Sequence, residues 1–149
     1  MIEAMRGLSH RFPLDEPAMH WRCIRLLRET YEVAGELFRH WQPIGEVGRV
    51  EALTARPRQR GQWLVAVDTF YSPTTAEAAG LPIGWETTTD AIAAYLARRT
   101  EADELVLLKS CPIPDGASLE QLTAAGIVDT ALAPALPRSL RLRVEQLSP

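Results

Sequence analysis

The order of apolar and polar residues between positions 84 and 110 predicts a helix followed by a strand. Ile92, Tyr95 and Leu96 recur at helical spacing. The threonines at 87–89 are residues that favour a helix start, and Asp90 would suit the first turn. After a polar connection, the run Leu105–Leu108 is uninterrupted and apolar, which indicates a strand covered on both faces.

Simple geometry makes this helix and strand a candidate site. A helix of about 12 residues rises about 18 Å, and a returning strand of five residues covers roughly 16 Å. We therefore expect Lys109 and Ser110 to lie level with Thr88, Thr89 and Asp90, at the sheet edge where open α/β folds bind ligands. A helix N-terminus with a lysine suits an anion, and a carboxylate would orient the lysine or hold a metal.

The rest of the chain alternates between helical and extended patterns, which predicts a layered α/β domain over residues 1–149. Two N-terminal helices are expected, the second capped by Asp15 and running to about Arg39. A capping-box pattern with Ser118 and Glu120 predicts a later short helix that ends at Gly126. The expected elements are helices at 2–12, 15–39, 75–79 and 118–126, and strands at 47–55, 62–67 and 140–147.

Composition limits the classes of function. The chain has 149 residues, 46% hydrophobic and 23% charged, with a net charge of −3. This charge gives no reason to expect nucleic acid or an acidic membrane as a partner, and no apolar run approaches the ~20 residues that span a bilayer. Cys23 and Cys111 have no metal-ligand spacing and are expected to be free thiols. The sequence therefore predicts a cytoplasmic protein.

Several motifs have both a structural and a functional interpretation. The threonines before Asp90 are common cap residues, so capping alone is one explanation. The basic loop Arg56–Gly61 would be either solvated or a phosphate contact, and His20 either a packing or a functional residue. Lys109 has the stronger functional signal, because it directly follows an apolar strand.

The segment WETTTDAIAAYLARRTEADELVLLKS, followed by LTAAGIVDTAL, resembles the amino acid kinase superfamily, which includes aspartate, glutamate and uridylate kinases. It is most similar to the small branch of aminomethylfuran phosphate kinases, with their W-x-x-T-S-D-S-I-A-A-W-L-A, L-x-L-L-K-S and A-G-I-V-D segments. The N-terminal residues 5–27 also resemble a helical part of that family. The matching positions are Trp85, Thr88, Asp90, Ile92, Ala93, Ala94, Leu96, Ala97, Lys109, Ser110, Gly126, Ile127, Val128 and Asp129.

The resemblance implies a three-layer α/β/α sandwich with a mostly parallel sheet. It also implies an ATP-dependent kinase that uses Mg²⁺ and a small acceptor bearing a carboxylate or phosphate. By resemblance, Asp90 would organise the reacting centre, and Thr88 and Thr89 would contact acceptor or phosphates, with Asp129 in the same cleft. Lys109 and Ser110 would lie on the nucleotide side.

The family's two glycine-rich phosphate loops and its first strand would precede Met1, so the resemblance implies an N-terminally truncated domain. Such loops stabilise the transferred phosphate, and their loss is expected to impair catalysis. A missing strand would leave a sheet edge open for pairing, which favours a homo-oligomer. The alternatives are a non-catalytic nucleotide- or anion-binding or assembly module, and an unrelated α/β protein whose threonines only cap a helix.

Overall fold

The computed structural model describes residues 2–47, 49–50, 53 and 61–147. The chain divides into two compact units, Met1–Trp85 and Glu86–Pro149. A single domain over residues 1–149 stays a prediction. Both units combine helices with a small parallel sheet, which agrees with the predicted α/β class. No described helix is both long and apolar enough to cross a membrane.

Two helices dominate the first unit, as the hydrophobic pattern predicted. Helix α1 is Ile2–Arg11 and helix α2 is Glu16–Leu37, two residues shorter than expected. The predicted cap is confirmed, because the Asp15 carboxylate accepts a hydrogen bond of 2.7 Å from the Ala18 amide. The buried residues of α2 lie in its first half (Met19, His20, Cys23 and Ile24).

The first unit's sheet is short and parallel, with β1 at Gln42–Ile44 and β2 at Trp63–Val65. The predicted strand at 62–67 is therefore confirmed at its centre, and Val67–Thr69 forms a 3₁₀ turn instead. Helix α3, Pro73–Ala79, starts at a Ser72–Thr75 capping box and ends at Gly80 in a left-handed conformation.

The predicted strand at 47–55 is wrong for the residues that the structure describes there. Positions 49, 50 and 53 are helical. The apolar pair Val50 and Leu53 is three residues apart, which is helical rather than strand spacing. Residues 56–60 of the basic loop Arg56–Gly61 lie outside the described residues.

The second unit contains the predicted helix–strand pair. Its elements are α4 Thr89–Arg99, β3 Glu104–Lys109, α5 Leu119–Ala124, α6 Leu132–Ala135 and β4 Arg141–Gln146. Strands β3 and β4 are parallel, with Leu105 beside Leu142 and Leu107 beside Val144. Helix α5 is capped by Ser118 as expected, but its capping-box partner is Gln121 rather than Glu120.

The prediction that β3 is covered on both faces is wrong. Leu107 is buried, whereas Val106 and Leu108 on the other face are 36% and 59% exposed. The register explains this difference, because the exposed face continues onto the charged positions of β4. There Glu104 forms an ion pair at 2.8 Å with Arg141, whose side chain is 71% exposed.

Candidate functional site

The start of helix α4 is held by a carboxylate from a distant part of the second unit. Thr88 is the N-cap residue, but its side chain makes no capping hydrogen bond. Asp129 instead accepts hydrogen bonds from the amides of Thr88 at 2.8 Å and Ala91 at 3.0 Å. The Thr88 hydroxyl donates to the same carboxylate. The expectation of threonine side-chain capping is therefore wrong, and Asp129 has that role.

Asp90 and Lys109 meet directly, as the helix rise and strand return predicted. The Lys109 ammonium donates to both carboxylate oxygens of Asp90, at 2.6 and 2.7 Å. The exposed fractions of the two side chains are 18% for Lys109 and 7% for Asp90. The Asp129 amide also donates to Asp90, at 3.3 Å. Asp90, Asp129, Thr88 and Lys109 thus form one network, called here the Asp90 network.

Local chain geometry brings these residues together. Helix α4 and strand β3 are joined by a short turn in which Glu101 adopts a left-handed conformation, with φ of 51°. Gly126 is also left-handed, with φ of 67°, and turns the chain after α5. The following Val128 is buried, and the Ala131 amide donates to the Glu86 carbonyl at 3.1 Å. These contacts hold Asp129 against the first turn of α4.

Burial has the largest effect on the acidity of Asp90. It raises the pKa of this carboxyl above its usual value, because removal from water disfavours the charged form. The hydrogen bond and charge of Lys109 oppose this increase, while the nearby Asp129 carboxylate adds to it. Burial therefore outweighs Lys109 in setting the pKa of Asp90.

The remaining predicted site residues lie outside the Asp90 network. Thr89 and Ser110 are both exposed, each next in sequence to a member of the network. His20, in the first unit, is buried with its Nδ1 3.0 Å from the Gly84 carbonyl and its Nε2 3.1 Å from the Tyr71 hydroxyl. These contacts favour the packing interpretation of His20.

Two features of the site were not part of the sequence prediction. The hydroxyl of Thr87, 1% exposed, has no hydrogen-bond partner among the described residues. Lys109 is also the one lysine in a chain with fifteen arginines. A single lysine among so many arginines was a usable signal, because it suggests a position that requires an ammonium rather than a guanidinium. An ammonium is compact enough to contact a buried carboxylate and still direct an N–H donor elsewhere.

The charges of the Asp90 network limit what it can bind. Two carboxylates and one ammonium sum to one negative charge, and the helix N-terminus already contacts Asp129. A bare anion is therefore less suited to the site than the sequence suggested. The described residues also contain no group of three or more acidic, histidine or cysteine side chains that could hold a metal ion.

Comparisons with known proteins add no assignment. No protein family, curated protein or solved structure matched the chain. The function must therefore be interpreted from the side chains of the Asp90 network and from the charges they present.

Proposed function

We propose that the chain is an amino-acid-kinase-like phosphotransferase domain that binds ATP with Mg²⁺ at the Asp90 network. The observation that supports this most is the doubly hydrogen-bonded Asp90–Lys109 pair, where the first turn of a helix meets the end of a parallel strand. The proposal includes the three-layer α/β/α sandwich and the cytoplasmic location. The acceptor would be a small molecule that carries a carboxylate or phosphate.

Lys109 is the residue proposed to contact the nucleotide. An ammonium has three N–H donors, and Asp90 can accept from at most two of them. At least one N–H donor is therefore left for a phosphate oxygen. Phosphoryl transfer depends on positioning and charge stabilisation, and a lysine held by a buried carboxylate provides both. Ser110, exposed and next in the chain, is proposed to contact the same nucleotide.

Asp90 and Asp129 have different proposed roles. Asp90 organises the reacting centre by fixing the Lys109 ammonium, and Asp129 positions the first turn of α4. Thr88 and Thr89 lie at that turn and are proposed to contact the acceptor or phosphates. The exposed position of Thr89 suits such a contact better than that of Thr88, whose hydroxyl already donates to Asp129.

The charge of the network fits a magnesium–nucleotide complex better than ATP alone. Magnesium commonly binds proteins through one or two carboxylates and takes its other ligands from phosphates and water. Asp90 and Asp129 supply two adjacent carboxylates, which is too few for a metal site built from protein alone. The bound ion would neutralise phosphate charge. The proposal therefore requires that magnesium and nucleotide bind together.

Calorimetric titration tests this proposal with three ligands: Mg²⁺, ATP with a chelator, and Mg–ATP. We expect heat for Mg–ATP and none for Mg²⁺ alone. The matched variant is the double substitution Asp90→Asn with Lys109→Met, which removes both charges and keeps similar side-chain volumes. Glu120→Gln, an exposed change on α5, is the control and is expected to bind as the unmodified chain does.

Two results would contradict the proposal. One is no binding of Mg–ATP at millimolar concentration, and the other is equal binding by the double variant and the unmodified chain. Once binding is established, loss of the γ-phosphate in the presence of small carboxylate and phosphate acceptors tests transfer. Binding without transfer would favour the non-catalytic nucleotide-binding module instead.

A further inference from the structure

Strand β4 has one edge that no described strand covers. The amides of Arg141 and Leu147 donate to the carbonyls of Asp103 and Lys109 on the side of β3. The odd-numbered residues of β4 therefore direct their backbone groups toward β3. Because backbone groups alternate in direction along a strand, those of Leu142, Val144 and Gln146 point the other way. In the described part of the chain, the sheet contains β3 and β4 alone.

We propose that β4 pairs with β4 of a second copy of this chain, antiparallel about a two-fold axis at Val144. In this register Val144 faces Val144 of the partner subunit, and Leu142 faces Gln146 of the partner subunit. These are the residues whose amides and carbonyls point outward, so all three positions form backbone hydrogen bonds. The contact is isologous and closes as a dimer.

The charges on β4 select this register. It places Arg143 opposite Glu145 of the partner subunit, twice by symmetry, at the positions where opposed side chains are closest. A slip of two residues sets either Arg143 or Glu145 against its own copy, and like charges directly opposite are unfavourable. A slip of one residue moves every side chain to the wrong face. One alignment therefore satisfies both the charges and the faces.

The side chains of these charged residues are available for the pairing. Arg143 and Glu145 are 49% and 47% exposed, and they already approach each other within β4 at 2.6 Å. Exchange of this contact for the same contact across the axis conserves the ion pair. Neither residue has to be removed from a buried position. The edge thus has complementary charges that can be satisfied either within one chain or between two.

The apolar face of the sheet gives a second reason for the pairing. Leu142 and Val144 lie on the same face as Leu105 and Leu107 in the β3–β4 register. Two-stranded sheets are marginal, and parallel sheets seldom stand alone, whereas three or more strands with an apolar face form stable units. The dimer would join two such pairs into one four-stranded sheet with a continuous apolar face.

Sedimentation velocity from about 1 μM to about 1 mM protein tests the pairing. We expect a dimer for the unmodified chain. Glu145→Arg places two arginines opposite each other, and Arg143→Glu places two glutamates opposite each other. Each substitution is expected to raise the dissociation constant of the dimer roughly ten- to a hundredfold, since two attractive charge pairs become repulsive. Glu120→Arg makes the same charge change on exposed α5 and should leave the dimer intact.

Mixing the two charge variants gives the decisive measurement. In a mixture of the Glu145→Arg and Arg143→Glu chains, every cross-strand pair again has opposite charges, so a heterodimer is expected. A monomeric unmodified chain would overturn the proposal. So would variants that keep the full dimer mass, or a mixture that stays monomeric while both chains retain the circular dichroism spectrum of the unmodified chain. Nucleotide binding at the Asp90 network does not depend on this result.

Discussion

Replacement of Lys109 by methionine should destabilise the second unit by about 3–5 kcal/mol at neutral pH, the range for breaking a buried ion pair. Lys109 supplies two of the hydrogen bonds to Asp90, and the Asp129 amide supplies a longer one at 3.3 Å. Without the ammonium, a carboxylate that is 7% exposed keeps its charge with little compensation. The cost is large because the partner left behind is charged and buried.

The pH dependence of this cost has a defined sign. Burial already holds the pKa of Asp90 above its usual value, and loss of Lys109 removes two effects that lower it. The folded state then binds the Asp90 proton more tightly than the unfolded state. Stability from this group is greatest below the unfolded pKa and falls as pH rises through the folded pKa. The difference in free energy of unfolding between the Lys109→Met variant and the unmodified chain should therefore become smaller toward acid pH.

Hydrogen–deuterium exchange over residues 88–109 measures this effect locally, with urea unfolding followed by circular dichroism as the global measurement. The double substitution Asp90→Asn with Lys109→Met is the matched control. It should recover most of the loss, because a neutral pair leaves no buried charge. Equal loss in the single and double variants would show that the lysine acts through packing alone. An unchanged exchange rate in the single variant would refute the buried-pair argument.

Three further predictions concern other positions. Asp129→Ala should cost about 1–2 kcal/mol and speed amide exchange at the start of α4, whereas Asp129→Asn should retain part of the cap. Gly80→Ala should cost about 1 kcal/mol in thermal unfolding, because residue 80 has a φ of 68°, which alanine adopts poorly even though the added methyl group meets no atom within 4 Å. Gly7→Ala, within α1, should be stabilising, because alanine favours a helix more than glycine does. Burial raises the pKa of Tyr71 to about 12, so absorbance titration should show a late-ionising tyrosine signal that Tyr71→Phe removes, and stability should fall as pH rises from 10 toward 12.

Local spacing predicted those features of the fold that depend on a few neighbouring residues. The Asp15 cap, helix α4 and the meeting of Lys109 with Asp90 followed from helix rise, strand rise and residue type. The three-residue strand β1 was missed, because so short a strand has no measurable periodicity. An apolar run also cannot show which faces are covered, and the prediction for β3 was wrong for that reason.

The role of Asp129 as a helix cap could not be predicted from local spacing, because its contacts are distant in the sequence. Its carboxylate contacts Thr88 and Ala91, which lie 41 and 38 positions away in the sequence. Nothing in the spacing around residue 129 indicates a helix cap at residue 88. By contrast, the alternation of Arg141, Arg143 and Glu145 with apolar residues is typical of a strand with one exposed face, and the exposure of these three residues agrees with it. Through the β3–β4 register, that alternation also determines which face of β3 is open.

The position of Asp129 determines which ligands the Asp90 network could accept. A helix N-terminus normally attracts a phosphate through its unpaired amides and its dipole. In this chain the amides of Thr88 and Ala91 already donate to a carboxylate, so a bare phosphate would have to displace Asp129. A magnesium–phosphate complex need not displace Asp129, because the Oδ1 atoms of Asp90 and Asp129 each accept only one of the hydrogen bonds described and keep a lone pair for the ion. The internal cap therefore makes magnesium dependence the sharpest test of whether the site binds nucleotide.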